Sequence, residues 1–196
     1  MPSPTLILAS TSRYRRELLE RLRVPFDVQS PHVDETPSPG EAPAALAERL
    51  ALSKAHAVAQ QHPGAWVIGS DQVADLGGQP IGKPGKHEAA VAQLQAMRGR
   101  TVVFQTAVAV VAPGFAQVVT VPIRTRFRSA SDEEIDHYLR LEQPYDCAGS
   151  AKSEGLGISL MEAIESDDPT ALVGLPLIAT CRLLRAAGFP LWEQSR

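Results

Sequence analysis

Carboxylate side chains in the first half of the sequence are placed where a divalent cation and a phosphorylated ligand could be bound. Asp71 lies inside the apolar run AWVIGSDQVADL, and a carboxylate in such a run is costly unless it is paired or bound to a metal. Glu35 lies in a loop bounded by prolines. Proteins typically bind Mg²⁺ through one or two carboxylates together with substrate phosphates. The two acids therefore predict metal-assisted phosphoryl chemistry, although position 35 also fits a simple loop acid.

Basic side chains in the same half of the chain could neutralise phosphates. Arg15 and Arg16 lie in the first turn of a predicted helix that follows a strand, where backbone N–H groups also favour anions. Lys83 follows a tight turn, and Lys54 lies on a predicted helix between Glu35 and Asp71. Phosphoryl transfer depends mainly on charge neutralisation and a positioned nucleophile. From the local pattern alone, each of these basic side chains also fits a solvated surface.

Strands and helices must position these side chains, and the hydrophobic pattern predicts a mixed α/β fold. Strands are predicted at TLILAS, residues 24–30, AWVIGSDQVADL, residues 100–112 and residues 117–127. Helices are predicted after an N-cap at Ser12, over residues 43–61 and 86–97, after a capping box at 131–134, and over residues 176–188. Gly77 and Gly78 favour a hairpin turn. Residues 144–157 are predicted to form a functional loop, because they are rich in glycine and polar residues.

Composition excludes several classes of protein. The 196 residues have a net charge of -3, which argues against a general nucleic-acid binder because such proteins are usually basic. Residues 101–123 carry no charge, but Pro113 and Gly114 indicate two strands and a turn rather than a membrane helix. The first residues lack the charge pattern of a signal peptide, and two cysteines fit a reducing compartment. We therefore expect a cytoplasmic protein without nucleic-acid or membrane partners, folded as a single domain over residues 1–196.

Three familiar motifs are incomplete in this sequence. The segment GGQPIGK matches part of a P-loop, but Pro84 stands where the Mg²⁺-binding hydroxyl is needed. The histidines and cysteines show no zinc-ligand spacing. Ser150 lacks the G-x-S-x-G pattern of hydrolases, and Cys147 fits a small buried side chain better than a nucleophile.

Six fragments resemble, in their order along the chain, the Maf family of nucleotide pyrophosphatases. These fragments are LASTSRYRRELL, VDET, GSDQV, GKP, CAGSAKSEGLGI and DPTALVGLPL, and the match extends from Leu8 to about Leu184. The triplets SDQ at 70–72 and SEG at 153–155 resemble the subgroup that acts on 7-methylguanosine triphosphate (7-methyl-GTP). The subgroup that acts on dTTP and UTP typically has threonine after the aspartate and glutamine at the later position.

The resemblance implies a fold and an activity. The fold would be an elongated mixed sheet flanked by helices, with two lobes around a cleft, and the family is often dimeric. The activity would be hydrolysis of a nucleoside triphosphate to a monophosphate and pyrophosphate, with Mg²⁺ or Mn²⁺, removing modified nucleotides from the cellular pool. A dTTP/UTP pyrophosphatase of the same family and a non-catalytic regulator of cell division are the alternatives.

The resemblance also implies roles for particular residues. Asp71 would be the catalytic acidic residue, either accepting a proton from water or binding the metal, and Glu35 would help to hold the cation. The phosphates would be contacted by Ser10, Arg15, Lys54 and Lys83. Base specificity would be set by Tyr14, Gln72 and Glu154. A methylated guanine is cationic, so an aromatic ring gains a cation–π interaction with it, and a carboxylate could accept hydrogen bonds from its N1 and 2-amino groups.

Overall fold

The computed structural model describes residues 5–192, in which a seven-stranded mixed sheet is flanked by five α-helices. The strands are β1 (Leu6–Ala9), β2 (Asp27–Gln29), β3 (Trp66–Leu76), β4 (Gln79–Ile81), β5 (Thr101–Ala112), β6 (Phe115–Phe127) and β7 (Met161–Glu165). The helices are α1 (Arg13–Glu20), α2 (Pro43–Ala59), α3 (His87–Met97), α4 (Asp132–Glu142) and α5 (Leu177–Ala186). The predicted mixed α/β fold is confirmed, and the single domain over residues 1–196 stays a prediction.

The sheet leaves a gap beside its central strand. The strand order is β2-β1-β3-β5-β6-β7, and β4 also pairs with β3. One edge of β3 is covered by β5, so β1 and β4 share the opposite edge. On that edge β1 pairs with residues 66–69 and β4 pairs with residues 74–76. Residues 70–73 therefore face an opening between two strands, and Asp71 lies in it.

Alternation along β3 directs its side chains to the two faces of the sheet. Val67 and Val73 pack in the cluster that includes apolar residues of α2, whereas Ile68 packs in the cluster that includes α1 and α5. A third cluster joins α3 and α4 to the far halves of the long strands. By the same alternation, Asp71 belongs to the α2 face and Gln72 to the opposite face.

Helix α2 lies close to β3 because position 69 has no side chain. A Cβ at Gly69 would be 2.2 Å from the backbone oxygen of Ala51 and 2.7 Å from the backbone nitrogen of Ala55. Both of these atoms belong to α2. This close approach brings Lys54, on the same helix, next to Asp71, two residues beyond the glycine on β3.

Local signals in the sequence predict the helix starts well. The Ser12 hydroxyl accepts a hydrogen bond from the Arg15 backbone at 3.4 Å, and the capping box at Ser131 is formed. Helix α5 begins at Leu177, one residue later than predicted, with Pro176 in the capping position. Strand β7 was not predicted, and the loop at 144–157 contains the 3₁₀ helix Ala148–Ser150 and the start of a second one, Leu156–Leu160. Within residues 5–192 no helix has the length and apolar character needed to cross a membrane.

Asp168 caps helix α5 from outside the helix. Its buried carboxylate accepts hydrogen bonds from the backbone nitrogens of Ile178 at 2.7 Å and Ala179 at 3.2 Å. Its other oxygen accepts a hydrogen bond from the Thr170 hydroxyl at 2.9 Å, and that hydroxyl oxygen in turn accepts one from the Leu177 backbone at 2.8 Å. Negative charge at a helix N-terminus is stabilising. The carboxylate therefore fixes the segment that precedes α5.

We expect Asp168→Ala to lower the free energy of unfolding by about 3 kcal/mol, because several buried N–H and O–H donors would lose a charged acceptor. Urea denaturation followed by circular dichroism measures this change. The matched control is Asp167→Ala, which alters an exposed neighbouring aspartate. Its free energy of unfolding should stay within about 0.5 kcal/mol of the wild-type value. Equal losses in the two variants would contradict the capping role.

Candidate active site

The opening beside β3 is the centre of a cleft formed by adjoining cavities. The main cavity has a volume of about 360 Å³ and is bordered by the loop after β1, the loop after β2, helix α2 and the turn after β4. Its lining includes Ser10, Arg15, Glu35, Lys54 and Lys83. A second cavity of about 260 Å³ shares Glu35 and Lys83 with the first and includes Asp71. The structure thus brings the predicted phosphate-contacting and acidic residues to one cleft.

Lys54 joins the two predicted metal ligands. Its Nζ donates to Asp71 Oδ1 at 2.7 Å and lies 2.8 Å from Glu35 Oε1. Lys54 and Asp71 are buried, with 5% and 8% of their surface exposed, whereas Glu35 is open to solvent. The Asp71 carboxylate in an apolar strand is therefore compensated by a buried ammonium group, and the bridged set has one excess negative charge.

Glu35 is held in its ionised form. Partial burial raises the pKa of its carboxyl group, but the hydrogen bond and charge of Lys54, with Lys83 and Arg15 nearby, outweigh that effect and lower the pKa below its usual value. The stabilising pair with Lys54 is therefore complete at neutral pH. It is lost only as the pH falls through this lowered pKa.

Arg15 and Arg16 have different surroundings, although the sequence pattern fits both as phosphate ligands. Arg15 lines the main cavity, and its Nε donates to the Gly174 carbonyl at 2.9 Å. Burial lowers the pKa of this guanidinium, and the negative charges of Asp71 and Glu35 act in the opposite direction. Arg16 is exposed and pairs with Glu20 at 2.9 Å, so it does not belong to the cleft.

The predicted specificity residues border a smaller recess that opens beside the main cavity. Tyr14, Gln72 and Glu154 all line this recess. The guanidinium carbon of Arg13 lies 4.8 Å from the centre of the Tyr14 ring, and Lys152 Nζ lies 6.0 Å from it. The structure therefore places an aromatic ring, an acidic side chain and an amide around one space.

Gln72 also has a structural function. Its Nε2 donates to Thr106 Oγ1 at 2.9 Å and to the carbonyls of Ala171 and Leu172 at 3.0 Å. Ser70 projects from the same face of β3, and its hydroxyl lies within hydrogen-bond distance of two carbonyls, that of Ala107 at 2.7 Å and that of Gly174 at 2.9 Å. These contacts fix the segment at 171–174 against the sheet. Because these contacts occupy the amide nitrogen of Gln72, its oxygen is the atom left to accept a hydrogen bond from a ligand.

Sequence reasoning did not identify two charged residues at the cleft. Asp146 lines both the main cavity and the recess, and Lys152 forms an ion pair with Glu142 close to the Tyr14 ring. Both lie within the predicted functional loop, and Lys152 lies in the matched fragment CAGSAKSEGLGI. Cys147 lines the recess as well, but burial raises the pKa of its thiol to about 12. That thiol is therefore protonated at neutral pH and is not a nucleophile.

The two carboxylates of the cleft fit a metal site in which the protein supplies only part of the ligands. Two carboxylate oxygens, from Glu35 and Asp71, meet at the same ammonium group. In the described part of the chain, no group of three or more acidic, histidine or cysteine side chains is arranged to hold a metal ion. Two carboxylates suit a Mg²⁺-type ion whose remaining ligands are water and substrate phosphates.

A mixed sheet whose cleft contains a buried lysine, further basic side chains and paired carboxylates fits a protein that handles phosphorylated ligands. The chain belongs to the Maf family, since residues 5–187 match the family described as Maf-like protein. The resemblance seen in the sequence is thereby confirmed.

Curated relatives match the chain over nearly its whole length. A protein of Polaromonas sp. (strain JS666) named 7-methyl-GTP pyrophosphatase is 67% identical over 192 residues, which cover 97% of this chain and 88% of the relative. Proteins with the same name from Burkholderia thailandensis and Ralstonia nicotianae are 64% and 60% identical. The matches cover 97% and 96% of this chain, and 91% and 98% of those relatives.

Proposed function

We propose that this protein hydrolyses a nucleoside triphosphate to a nucleoside monophosphate and pyrophosphate, with 7-methyl-GTP as its preferred substrate. The observation that carries the proposal is the bridge from Lys54 to Asp71 and Glu35 inside a cleft with further cations at its border. The name shared by the relatives supports both the reaction and the substrate. Removal of a modified nucleotide from the cellular pool would be the biological consequence.

The basic side chains would bind the triphosphate and stabilise the charge that develops during its cleavage. Arg15 and Lys54 reach the cleft from two helices, and Lys83 reaches it from the turn after β4. Ser10 lines the same cavity and adds a hydroxyl group. In the reaction water would attack the α-phosphorus, the bond to the bridging oxygen would break, and pyrophosphate would leave. Preorganised charges around such a centre supply much of the catalysis.

Asp71 would act on the water or on a metal ion. Its carboxylate could accept the proton lost by the attacking water, or it could hold a divalent cation together with Glu35. A bound Mg²⁺ or Mn²⁺ would neutralise phosphate charge and orient the triphosphate. Removal of divalent cations by a chelator should therefore stop pyrophosphate release, and added Mg²⁺ or Mn²⁺ should restore it.

The recess would receive the base. Tyr14 would stack on the ring, and the positive charge of 7-methylguanine would strengthen that contact. Glu154 would accept hydrogen bonds from the N1 and 2-amino groups of guanine, and the Gln72 oxygen would complete the polar border. A pyrimidine offers a smaller ring and lacks the 2-amino group. This arrangement therefore favours 7-methyl-GTP over dTTP or UTP.

A panel of canonical and modified nucleoside triphosphates, assayed for pyrophosphate release with Mg²⁺, Mn²⁺ or chelator, tests the proposal. Hydrolysis in ¹⁸O-labelled water should place the label in the nucleoside monophosphate, because water attacks the α-phosphorus. Release of inorganic phosphate instead of pyrophosphate would overturn the proposed reaction. Equal specificity constants for dTTP and 7-methyl-GTP would overturn only the proposed substrate.

We expect Lys83→Ala to raise KM by about tenfold, because an exposed cation at the border of the phosphate cavity is lost. The free energy of unfolding should stay within about 0.5 kcal/mol of the wild-type value. Steady-state kinetics and thermal denaturation measure the two quantities. Lys86→Ala is the matched control, since this exposed lysine lies three residues away and does not line the cleft cavities. A similar rise in KM for both variants would contradict a specific phosphate contact.

Location in the cytoplasm and a homodimeric state belong to the same proposal. A nucleotide-clearing enzyme acts where the nucleotide pool is, and many small enzymes form two-fold dimers. Size-exclusion chromatography with light scattering measures the oligomeric state. Fractionation of cells that express the tagged protein measures its location.

A further inference from the structure

Asp146 lies at the junction between the main cavity and the recess. It lines both spaces, a position that it shares with Ser12, Tyr14 and Arg15. Contacts of the preceding residue hold the loop there: the carbonyl of Tyr145 accepts a hydrogen bond from the backbone of Gly85 at 3.0 Å. A ligand with phosphates in the main cavity and a base in the recess must pass this carboxylate.

The Asp146 side chain is exposed at the border of the cleft, and its charge also acts on the neighbouring Arg13. The ion pairs formed between residues of the described chain do not include it. Its carboxylate oxygen lies 3.5 Å from the Cys147 sulfur, which is a weak donor. The neighbouring Arg13 instead donates to the Tyr14 hydroxyl at 2.8 Å. The carboxylate is therefore available to a ligand.

A free carboxylate in a site for a triphosphate needs a physical reason, because it repels phosphate groups. The repulsion is offset when the part of the ligand nearest to it carries positive charge. A purine alkylated at N7 has such a charge, spread over a planar ring. The recess offers this ring the face of Tyr14 and a second carboxylate, Glu154. A neutral purine would meet the same groups with a weaker electrostatic attraction.

We propose that Asp146 is a specificity-determining residue whose carboxylate stabilises the positive charge of an N7-alkylated purine ring and so discriminates against the neutral ring. This inference rests on the proposed function, because it assigns the phosphates to the main cavity and the base to the recess. Selectivity then arises from charge as well as from hydrogen bonding.

The test compares 7-methyl-GTP with GTP at a mildly acidic pH, where the methylated ring carries its positive charge. We expect Asp146→Asn to reduce the ratio of the two kcat/KM values by about tenfold, with the loss confined to the methylated substrate. Asp27→Asn is the matched control, because it removes the same charge from exposed strand β2, away from the cleft cavities. The ratio of the two kcat/KM values in Asp27→Asn should equal that of the wild type.

Two kinetic outcomes would overturn the inference. An unchanged ratio would show that the carboxylate does not sense the charge of the base. An equal loss for both substrates, with a higher requirement for Mg²⁺, would make Asp146 a ligand of the cation instead. If the wild type hydrolyses neither nucleotide, the proposed function fails, and calorimetric binding of 7-methyl-GMP and GMP then decides the inference. Tighter binding of 7-methyl-GMP that is lost in Asp146→Asn would support it, and any other binding result would overturn it.

Discussion

Asp71→Asn should reduce pyrophosphate release by a factor of about 10²–10⁴, whether the carboxylate acts as a base or as a metal ligand. The amide cannot accept a proton from water and is a much weaker ligand for a hard cation. Its oxygen can still accept a hydrogen bond from Lys54, which lies 2.7 Å from Asp71 Oδ1. We therefore expect the variant to fold, and its circular dichroism spectrum should match that of the wild type.

The matched control for this variant is on the same strand. Asp75 lies four residues further along β3, and its carboxylate accepts a hydrogen bond from the Gly78 backbone at 2.6 Å. Asp75→Asn makes the same chemical change, keeps an oxygen acceptor and should leave turnover near the wild-type value. Normal turnover in a folded Asp71→Asn protein would refute the proposed site.

Gly69→Ala should be among the most damaging changes to the fold, although it adds a single methyl group. The new Cβ would lie 2.2 Å from the Ala51 oxygen and 2.7 Å from the Ala55 nitrogen, so helix α2 must move away from β3. We expect the free energy of unfolding to fall by about 3 kcal/mol or more, because the clash is with backbone rather than with a flexible side chain. Turnover should fall as well, since Lys54 moves with the helix.

Gly64→Ala is the matched control for Gly69→Ala. A Cβ at Gly64 would have no atom within 4 Å, and its backbone does not have a positive φ. The free energy of unfolding of this variant should stay within about 1 kcal/mol of the wild-type value. A slight increase is expected, because alanine restricts the conformations of the unfolded chain. Urea denaturation of both proteins measures the difference. Equal stability of the two variants would contradict the close helix–strand contact.

Helix caps and contacts that depend on residues close together in the sequence could be predicted, whereas those that depend on residues far apart in the sequence could not. Ser12 caps a helix whose donors lie three residues away, so its role is visible in the sequence. Asp168 caps a helix that begins nine residues later, through a loop whose path depends on the tertiary structure. The close contact at Gly69 depends likewise on a helix that is distant along the chain, and no local pattern indicates it.

The candidate site shows the same division between local and distant causes. The apolar surroundings of Asp71 indicate either a charged partner or a bound metal, but its partner Lys54 also fits a surface lysine on sequence grounds. The spacing of Arg15 agrees with its inward position, because it lies three and four residues before the buried Leu18 and Leu19. Arg16 also lies three residues before Leu19, so the sequence alone does not separate the two arginines. Strand β7, which within residues 5–192 pairs with β6 alone, has mixed polar and apolar residues, and this mixture makes its sequence signal weak.

The opposite orientation of Asp71 and Gln72 on β3 has a consequence for how such an enzyme can evolve. Under the proposed roles, the carboxylate that serves the hydrolytic step projects to one side of the sheet and the amide that helps to recognise the nucleobase projects to the other, although the two residues are adjacent in sequence. Substitution of the amide can then alter recognition while the Asp71–Lys54 pair stays in place. Descendants of one ancestral hydrolase could thus acquire new substrates while their cleavage chemistry is inherited intact.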